Sequence, residues 1–299
     1  MRKLGILLLL VLFLSACSNT RKNETEDKPT VTVSILPQKY FVERILGDHF
    51  KVNVMIPPGA SPVSYEPTPL QMKELSNSET YIRIGHVEFE KAWMKKIRNI
   101  NPDMKIIDQS VDANLIHADH KHEVEHDHSG HHHHHHHGTD PHIWISPKEV
   151  TKQIELIFQY FIKEYPSLGP DLEKNYSVFQ SEIDSLDLYI QNKLESLQGK
   201  KFLIFHPALS YLARDYGLGQ ISIEIDGKEP TPANIREIVD IAKKDNIRVV
   251  FVQQQFSTHN AEVIAKEIDG KVVQIDPLSY QWTESIKMIV DEIVKSYSN

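Results

Sequence analysis

The sequence predicts an α/β protein made of two lobes, each with a parallel sheet, joined by one long helix. Short segments rich in β-branched and aliphatic residues alternate with helical segments from 30 to 110, and again from 200 to 280, as in parallel sheets. Between these regions, from Ser146 to Gly199, nearly all apolar spacing is helical. The apolar share of 40% over the whole chain suits two modest domains better than one.

The first lobe is expected over residues 30–170. Its strand segments are "TVTVSILP" (30–37), "FKVNVMIPPG" (50–59), "TYIRIG" (80–85) and "MKIIDQS" (104–110). Helical spacing separates them, in "QKYFVERILG" (38–47), in "TPLQMKELSNSE" (68–79) and over 89–98. Thr68 with Pro69 behind it is the usual opening of a helix.

The linking helix is predicted over 171–199, after a break at 165–170. Its apolar residues recur every three or four positions, at Leu172, Tyr176, Phe179, Ile183, Leu186, Ile190 and Leu194. Alternation then resumes in a second lobe over 200–299, with strand segments "KFLIFHP", "QISIEI", "RVVFVQQQF" and "KVVQIDP". A single rigid connecting helix would limit how far the lobes swing, and the cleft between them is the expected ligand site.

Residues 1–17 have the composition of a secretory signal, with a basic start, a short apolar run and small residues before Cys17. The ending Leu-Ser-Ala-Cys resembles a bacterial lipobox, which implies cleavage before Cys17 and a lipid on its sulfur. Cys17 is the only cysteine, and lipidation would leave no spare thiol. An ordinary signal with an incidental cysteine and an uncleaved anchor are the alternatives. The polar residues 18–29 predict a flexible tether.

The composition excludes several classes of partner and location. The net charge is −8 and there is no basic cluster, which argues against nucleic acid. Beyond the N-terminal run, no apolar stretch is long enough to cross a membrane. We therefore expect an extracytoplasmic, lipid-anchored monomer held at a bacterial membrane, in a periplasm or on a cell surface.

Four potential metal ligands follow predicted strands or enter a helix at the cleft side. His206 ends "KFLIFH", Asp276 ends "KVVQID", His86 follows "TYIRIG", and His142 lies in "DPHIW". A single loop histidine is more often a polar surface residue, but three imidazoles and a carboxylate suit tetrahedral zinc. His49 and His259 lie in polar turns and are left out of this set.

Several motifs resemble one family along essentially the whole chain after residue 29. They are "PPGASPVSYEPTPLQMKEL", "DPHIWISP", "FHPALSYLARDYGL" and the stretch from "EPTPANIREIV" to "VVQIDPL". The chain resembles the metal-binding solute receptors of bacterial zinc and manganese ABC transporters, the ZnuA/TroA-like group known as cluster A-I. The resemblance implies two α/β lobes with a metal site in the cleft. Its ligands would be His142 from the first lobe, with His206 and Asp276 from the second.

The resemblance favours zinc, because manganese-type members tend to have glutamate where this chain has His206. It also implies a departure: the family's first histidine precedes a Tyr-Glu-Pro, whereas this chain has Val63 at that position in "SPVSYEP". His86 is our candidate for the missing ligand. Glu66, Glu224 or a water molecule is the alternative.

The segment 117–137 is unusually rich in histidine, with other positions mostly Asp, Glu, Lys or Gly. Its histidines are His117, His120, His122, His126, His128, His131, His132, His133, His134, His135, His136 and His137. With no apolar face, the loop over 117–138 should stay disordered and bind several zinc ions weakly. The segment is not expected to be a purification tag, because tags stand at a terminus and this segment is internal. In the resembled zinc-uptake proteins such a loop precedes the Asp-Pro-His motif, and feeding, sensing and buffering remain open as its role.

The sequence thus predicts a receptor that captures Zn²⁺ as cargo and delivers it to a cognate ABC permease, and not an enzyme. Manganese or iron uptake on the same fold is the nearest alternative, and a metal-binding surface adhesin is another. A metallohydrolase is disfavoured because no His-Glu-x-x-His helix is present.

Overall fold

The computed structural model describes residues 28–117, 138–225 and 227–297. The predicted signal peptide, Cys17 and nearly all of the tether lie outside these residues, as do the histidines from His120 to His137. None of the helices within the described ranges is both long and apolar enough to cross a membrane.

Two four-stranded parallel sheets form the framework, as the sequence predicts. The first contains β1 (Thr30–Val33), β2 (Lys51–Val54), β3 (Thr80–Arg83) and β4 (Lys105–Asp108) in the order β2-β1-β3-β4. The second contains β5 (Lys201–Ile204), β6 (Gly219–Ser222), β7 (Val249–Gln253) and β8 (Lys271–Ile275) in the order β6-β5-β7-β8. In both sheets the strand order reverses beside the first strand, where the carboxyl ends of parallel strands leave a crevice.

The helices follow the strands with short connections. They are α1 (Leu36–Leu46), α2 (Pro69–Ser76), α3 (Glu88–Ile100), α4 (Pro147–Glu164), α5 (Gly169–Leu194), α6 (Ser210–Asp215), α7 (Pro232–Lys244), α8 (His259–Glu267) and α9 (Trp282–Ser296). Helix α2 is capped as expected, since the Thr68 hydroxyl accepts the backbone N–H of Gln71. The strand expected over 30–37 ends early because Leu36 and Pro37 open α1, and the Gln38 side chain accepts the backbone N–H of Ser34.

Helix α5 is the long helix that joins the lobes. Its 26 residues span about 39 Å, and a single 3-10 turn, Glu195–Leu197, follows it. The expected boundaries of the lobes and of the linking segment stay predictions. One hydrophobic core runs from the first sheet along α5 into the second lobe, with Phe41, Phe179 and Phe251 all buried in it. A smaller core fills the space between the second sheet and helices α7 and α8.

Two tryptophans connect the segment before α4 to the second lobe. The indole N–H of Trp144 donates to the carbonyl of Pro277 (2.9 Å), and that of Trp282 donates to the carbonyl of Trp144 (2.7 Å). Both side chains are 1% exposed. Trp282 also packs edge-on against Phe41 of α1, with 5.1 Å between ring centroids. The lobes therefore share buried polar contacts as well as apolar packing.

Replacing Trp282 by phenylalanine should lower the free energy of unfolding by about 2 kcal/mol, because the buried Trp144 carbonyl loses its donor. The matched control is Trp93→Phe, since Trp93 lies half-buried on α3 beside Lys96 and should change stability by less than about 0.5 kcal/mol. Urea unfolding followed by circular dichroism measures both. Equal stabilities for the two variants would contradict the structural role given to Trp282.

Candidate metal centre

His206 lies two residues beyond the end of β5, at the crevice of the second sheet. Its Nδ1 is 3.0 Å from a carboxylate oxygen of Glu224, and its backbone carbonyl accepts the side-chain amide of Gln253 (2.6 Å). The ring of Phe256 stacks on the imidazole at 5.0 Å between centroids, with 18° between the planes. Residues of the second lobe thus hold the backbone, one ring face and one ring nitrogen of His206.

His142 lies beside His206, with 5.2 Å between ring centroids and 71° between planes. Its Nδ1 is 2.7 Å from Asp140 Oδ1, and the same oxygen accepts the backbone N–H of His142 (2.9 Å). Burial alone would raise the pKa of Asp140, but the charge and hydrogen bonds of His142 outweigh it and lower that pKa. Asp140 is therefore ionised at neutral pH.

The two carboxylates decide which imidazole nitrogen is free. A neutral imidazole whose Nδ1–H donates to a carboxylate carries its lone pair on Nε2. Both Asp140 with His142 and Glu224 with His206 have this arrangement. Such outer carboxylates are the usual partners of metal-binding histidines, because they fix the tautomer and raise the basicity of the ligand nitrogen. The pair of imidazoles is prepared to bind a metal through two Nε2 atoms.

The loop of His142 is bonded to residues on both sides of α5 in the chain. The backbone N–H of Asp140 donates to the carbonyl of Ile116 (2.9 Å), and the Gln153 side chain of α4 donates to the carbonyl of Ile143 (3.1 Å). The Tyr211 hydroxyl of α6 donates to the carbonyl of Asp140 (2.8 Å), and Trp144 is bound to Pro277. We expected His142 to act with the first lobe, across the cleft from His206. Because partners of the loop come from before and after α5, the assignment of His142 to the first lobe stays a prediction.

His86 lies in the loop between β3 and α3, at the crevice of the first sheet. It lines a cleft cavity of about 1390 Å³ together with His142 and His206. Burial, followed by the positive charges of Arg83 and Lys91, lowers the pKa of His86 against the opposing charge of Asp108. The imidazole is therefore neutral, as a ligand must be.

Val63, the residue at the family's histidine position, lines the same cavity and is 55% exposed. Its segment lies close to the start of α3, because the backbone N–H of Phe89 donates to the carbonyl of Pro62 (3.0 Å). Residue 63, where the resembled family has a histidine, is thus on the same side of the cavity as His86. His86 itself is three residues before Phe89.

Asp276 directly follows β8, as expected, but is not among the residues that line the cavity, whereas Pro277 and Leu278 are. Burial raises the pKa of Asp276, while hydrogen bonds from the Leu278 backbone and the Gln255 side chain oppose the rise. Across the described ranges, no three His, Cys, Asp or Glu side chains form a group that could hold a metal ion. Of the predicted ligands, the structure brings His142 and His206 into contact and places His86 in the lining of the same cavity. Asp276 lies next to that lining, between its partner Gln255 and Pro277.

The remaining histidines of the described chain lie elsewhere. His49 contacts Asp171 (3.0 Å), and His259 begins α8. His117 forms an isolated antiparallel bridge with Thr139, and Ile116 and Thr139 line the cavity. The two ends of the histidine-rich segment therefore meet at the cavity. Sequence reasoning missed the part played by Asp140, although its place two residues before His142 could have indicated it.

Comparison with known proteins decides the family. The family model described as the periplasmic zinc-uptake complex component A, ZnuA, matches residues 31–296. The chain belongs to this family. The zinc-binding lipoprotein AdcA of Streptococcus pneumoniae strain R6 is 29% identical over 295 residues, covering 96% of this chain and 57% of that protein.

The chain thus spans little more than half the length of AdcA. The high-affinity zinc uptake system protein ZnuA of Bacillus subtilis strain 168 is 25% identical over 273 residues, which cover 89% of this chain and 85% of that protein. Among solved structures, a ZnuA crystal structure has 35% identity and a TM-score of 0.82, covering 91% of this chain and all of the other. Both the family and the two-lobed fold expected from the sequence are confirmed.

Replacing Glu224 by glutamine should weaken zinc binding roughly 10-fold to 100-fold, the usual cost of losing an outer carboxylate partner of a ligand histidine. The amide can still contact Nδ1 but lacks the charge that makes Nε2 a better donor. The measurement is a competition titration against a chromophoric zinc chelator. Glu237→Gln is the control, since Glu237 on α7 lines the same cavity and, within the described residues, has no hydrogen bond to His142 or His206. Unchanged affinity in Glu224→Gln would show that Glu224 does not support His206.

Proposed function

We propose that this protein captures Zn²⁺ in the cleft between its lobes and delivers it as cargo to an ABC permease. The observation that carries the proposal is the contact of His142 and His206, each with its Nδ1 on a carboxylate. Two imidazole ligands favour zinc over manganese, which prefers oxygen ligands. The protein binds and releases its cargo without converting it, in keeping with the zinc-uptake component whose family it shares.

We propose that His86 and Asp276 complete the ligand set when the ion is bound. His142 and His206, whose rings are in contact, would supply two nitrogens, and His86 would add a third from the loop after β3. Asp276 would add an oxygen after a small movement of the loop that follows β8. Three nitrogens and one oxygen make a tetrahedral zinc shell at about 2.0–2.2 Å.

The remaining parts of the proposal come from the sequence. A lipid on Cys17 would hold the protein outside the cell at the membrane that contains its permease, and the protein would act as a monomer. The histidine-rich segment would be an accessory that binds zinc weakly next to the cleft, since its ends meet at the cavity. AdcA is named a zinc-binding lipoprotein, which supports this location.

Replacing His206 by alanine should weaken the tight zinc site by more than roughly 100-fold, beyond the usual effect of an outer-shell change. His259→Ala, at the start of α8, is the matched control and should bind as the parent does. A chelator competition titration at neutral pH reads only the tight site, so weak binding by the histidine-rich segment does not obscure the result.

The same titration is repeated in a protein whose residues 118–137 are replaced by a short glycine-serine turn, which the bridge between His117 and Thr139 can accommodate. We expect this protein to keep one tight site that still depends on His206. If tight binding disappears with the segment, or survives His206→Ala unchanged, the cleft is not the zinc site.

A further inference from the structure

The backbone of the loop that carries His86 donates hydrogen bonds to a carboxylate in the protein interior. Glu90 lies in the first turn of α3 and is fully buried. Its Oε1 accepts the backbone N–H of Ile84 (2.7 Å), and its Oε2 accepts the backbone N–H of Gly85 (2.8 Å). These N–H groups belong to the two residues that come directly before His86.

Other contacts also fix the short segment before His86. The Arg83 guanidinium donates to the carbonyl of Gly85, and the Ser34 hydroxyl at the end of β1 donates to Glu90. Gly85 has φ +124°, and a Cβ there would lie 2.4 Å from the hydroxyl of Ser110. The backbone of this loop therefore has a single well-defined path, which only glycine can follow.

A buried carboxylate is costly unless hydrogen bonds compensate it. Here the loop supplies two of the donors to Glu90, the backbone N–H groups of the two residues before His86. The Ser34 hydroxyl and the Arg83 guanidinium, whose Nε is 3.5 Å from Oε2, supply the rest. Holding a ligand to within a fraction of an ångström needs support of this kind, because a loosely held ligand binds a metal poorly. The structure supplies such support for His206 through Glu224, and for His142 through Asp140.

We propose that Glu90 is a positioning residue for zinc binding, which sets the place of His86 at the cleft by fixing the backbone of residues 84 and 85. The proposal rests on the proposed function and on His86 as a ligand. Glu90 acts through the main chain and does not touch the ion. Asp140 and Glu224 support their histidines through the ring nitrogen, whereas Glu90 would support His86 through the backbone.

The test is a double-mutant cycle on the full chain, with zinc affinity read by chelator competition. In Glu90→Gln, one backbone N–H faces the amide group instead of an acceptor, and we expect affinity to fall roughly 10-fold or more, as for other residues that orient ligands. In the His86→Ala background the same change should have an effect of less than about twofold, because its target is gone. Glu149→Gln is the control, since Glu149 is an equally buried carboxylate, bound to Arg214 on α6.

Thermal unfolding of each variant separates positioning from folding. Glu90→Gln and Glu149→Gln should both lower the midpoint, whereas only the first should weaken zinc binding. If Glu90→Gln does not fold, Glu90→Asp, which withdraws the carboxylate by one methylene, replaces it and should show a smaller loss with the same dependence on His86.

Three results would overturn the proposal. An equal loss of affinity from Glu90→Gln with and without His86 would mean that Glu90 acts through the fold as a whole. If His86→Ala leaves affinity unchanged while His206→Ala lowers it, the zinc site stands but Glu90 has no ligand to position. If neither histidine matters, the proposed function fails, and the positioning role fails with it.

Discussion

Two buried indole hydrogen bonds determine how the halves of this molecule meet. Trp282 donates to the carbonyl of Trp144, and Trp144 donates to the carbonyl of Pro277, so two segments far apart in the chain are joined in one place. A buried carbonyl without a donor costs about 1–3 kcal/mol, which makes the arrangement hard to open. His142 lies two residues before Trp144, so the position of its loop depends on these hydrogen bonds. The continuous core along α5 supports the same junction from the other side.

The proposed zinc site has two parts, a pair of histidines beside this junction and a single histidine in another loop. His142 and His206 form a pair in contact. The loop of His142 is bonded to Tyr211 and Pro277 of the second lobe, and also to Ile116 and Gln153 before α5. His86 belongs to the first sheet, and its distance from the pair changes with any movement between the lobes. Capture and release would then depend on the position of His86. Because the pair of His142 and His206 is formed before the ion arrives, less conformational entropy is lost when the site is ordered by binding.

Much of this could be predicted from the sequence because the deciding signals are local. β-branched runs followed by helical spacing gave the order of strands and helices, the Thr68-Pro69 pair marked the start of α2, and His206 was recognised from its place just beyond a strand. The contacts of the His142 loop with the second lobe could not be predicted, for a physical reason. The bonds that fix its loop join Trp144 to residues more than 130 positions later, and no local pattern shows them. The buried role of Glu90 was missed likewise, because one glutamate in the first turn of an amphipathic helix looks like an ordinary surface residue.

The central claim is that one zinc ion lies between His142 and His206, and a crystal structure of the zinc-loaded protein tests it most directly. Diffraction data collected on both sides of the zinc absorption edge give an anomalous map that locates the ion without assumptions about its ligands. The account predicts one strong peak in the cleft at about 2.0–2.1 Å from the Nε2 atoms of both histidines. A peak bound by only one of them, or zinc confined to residues 117–137 with the cleft empty, would contradict it.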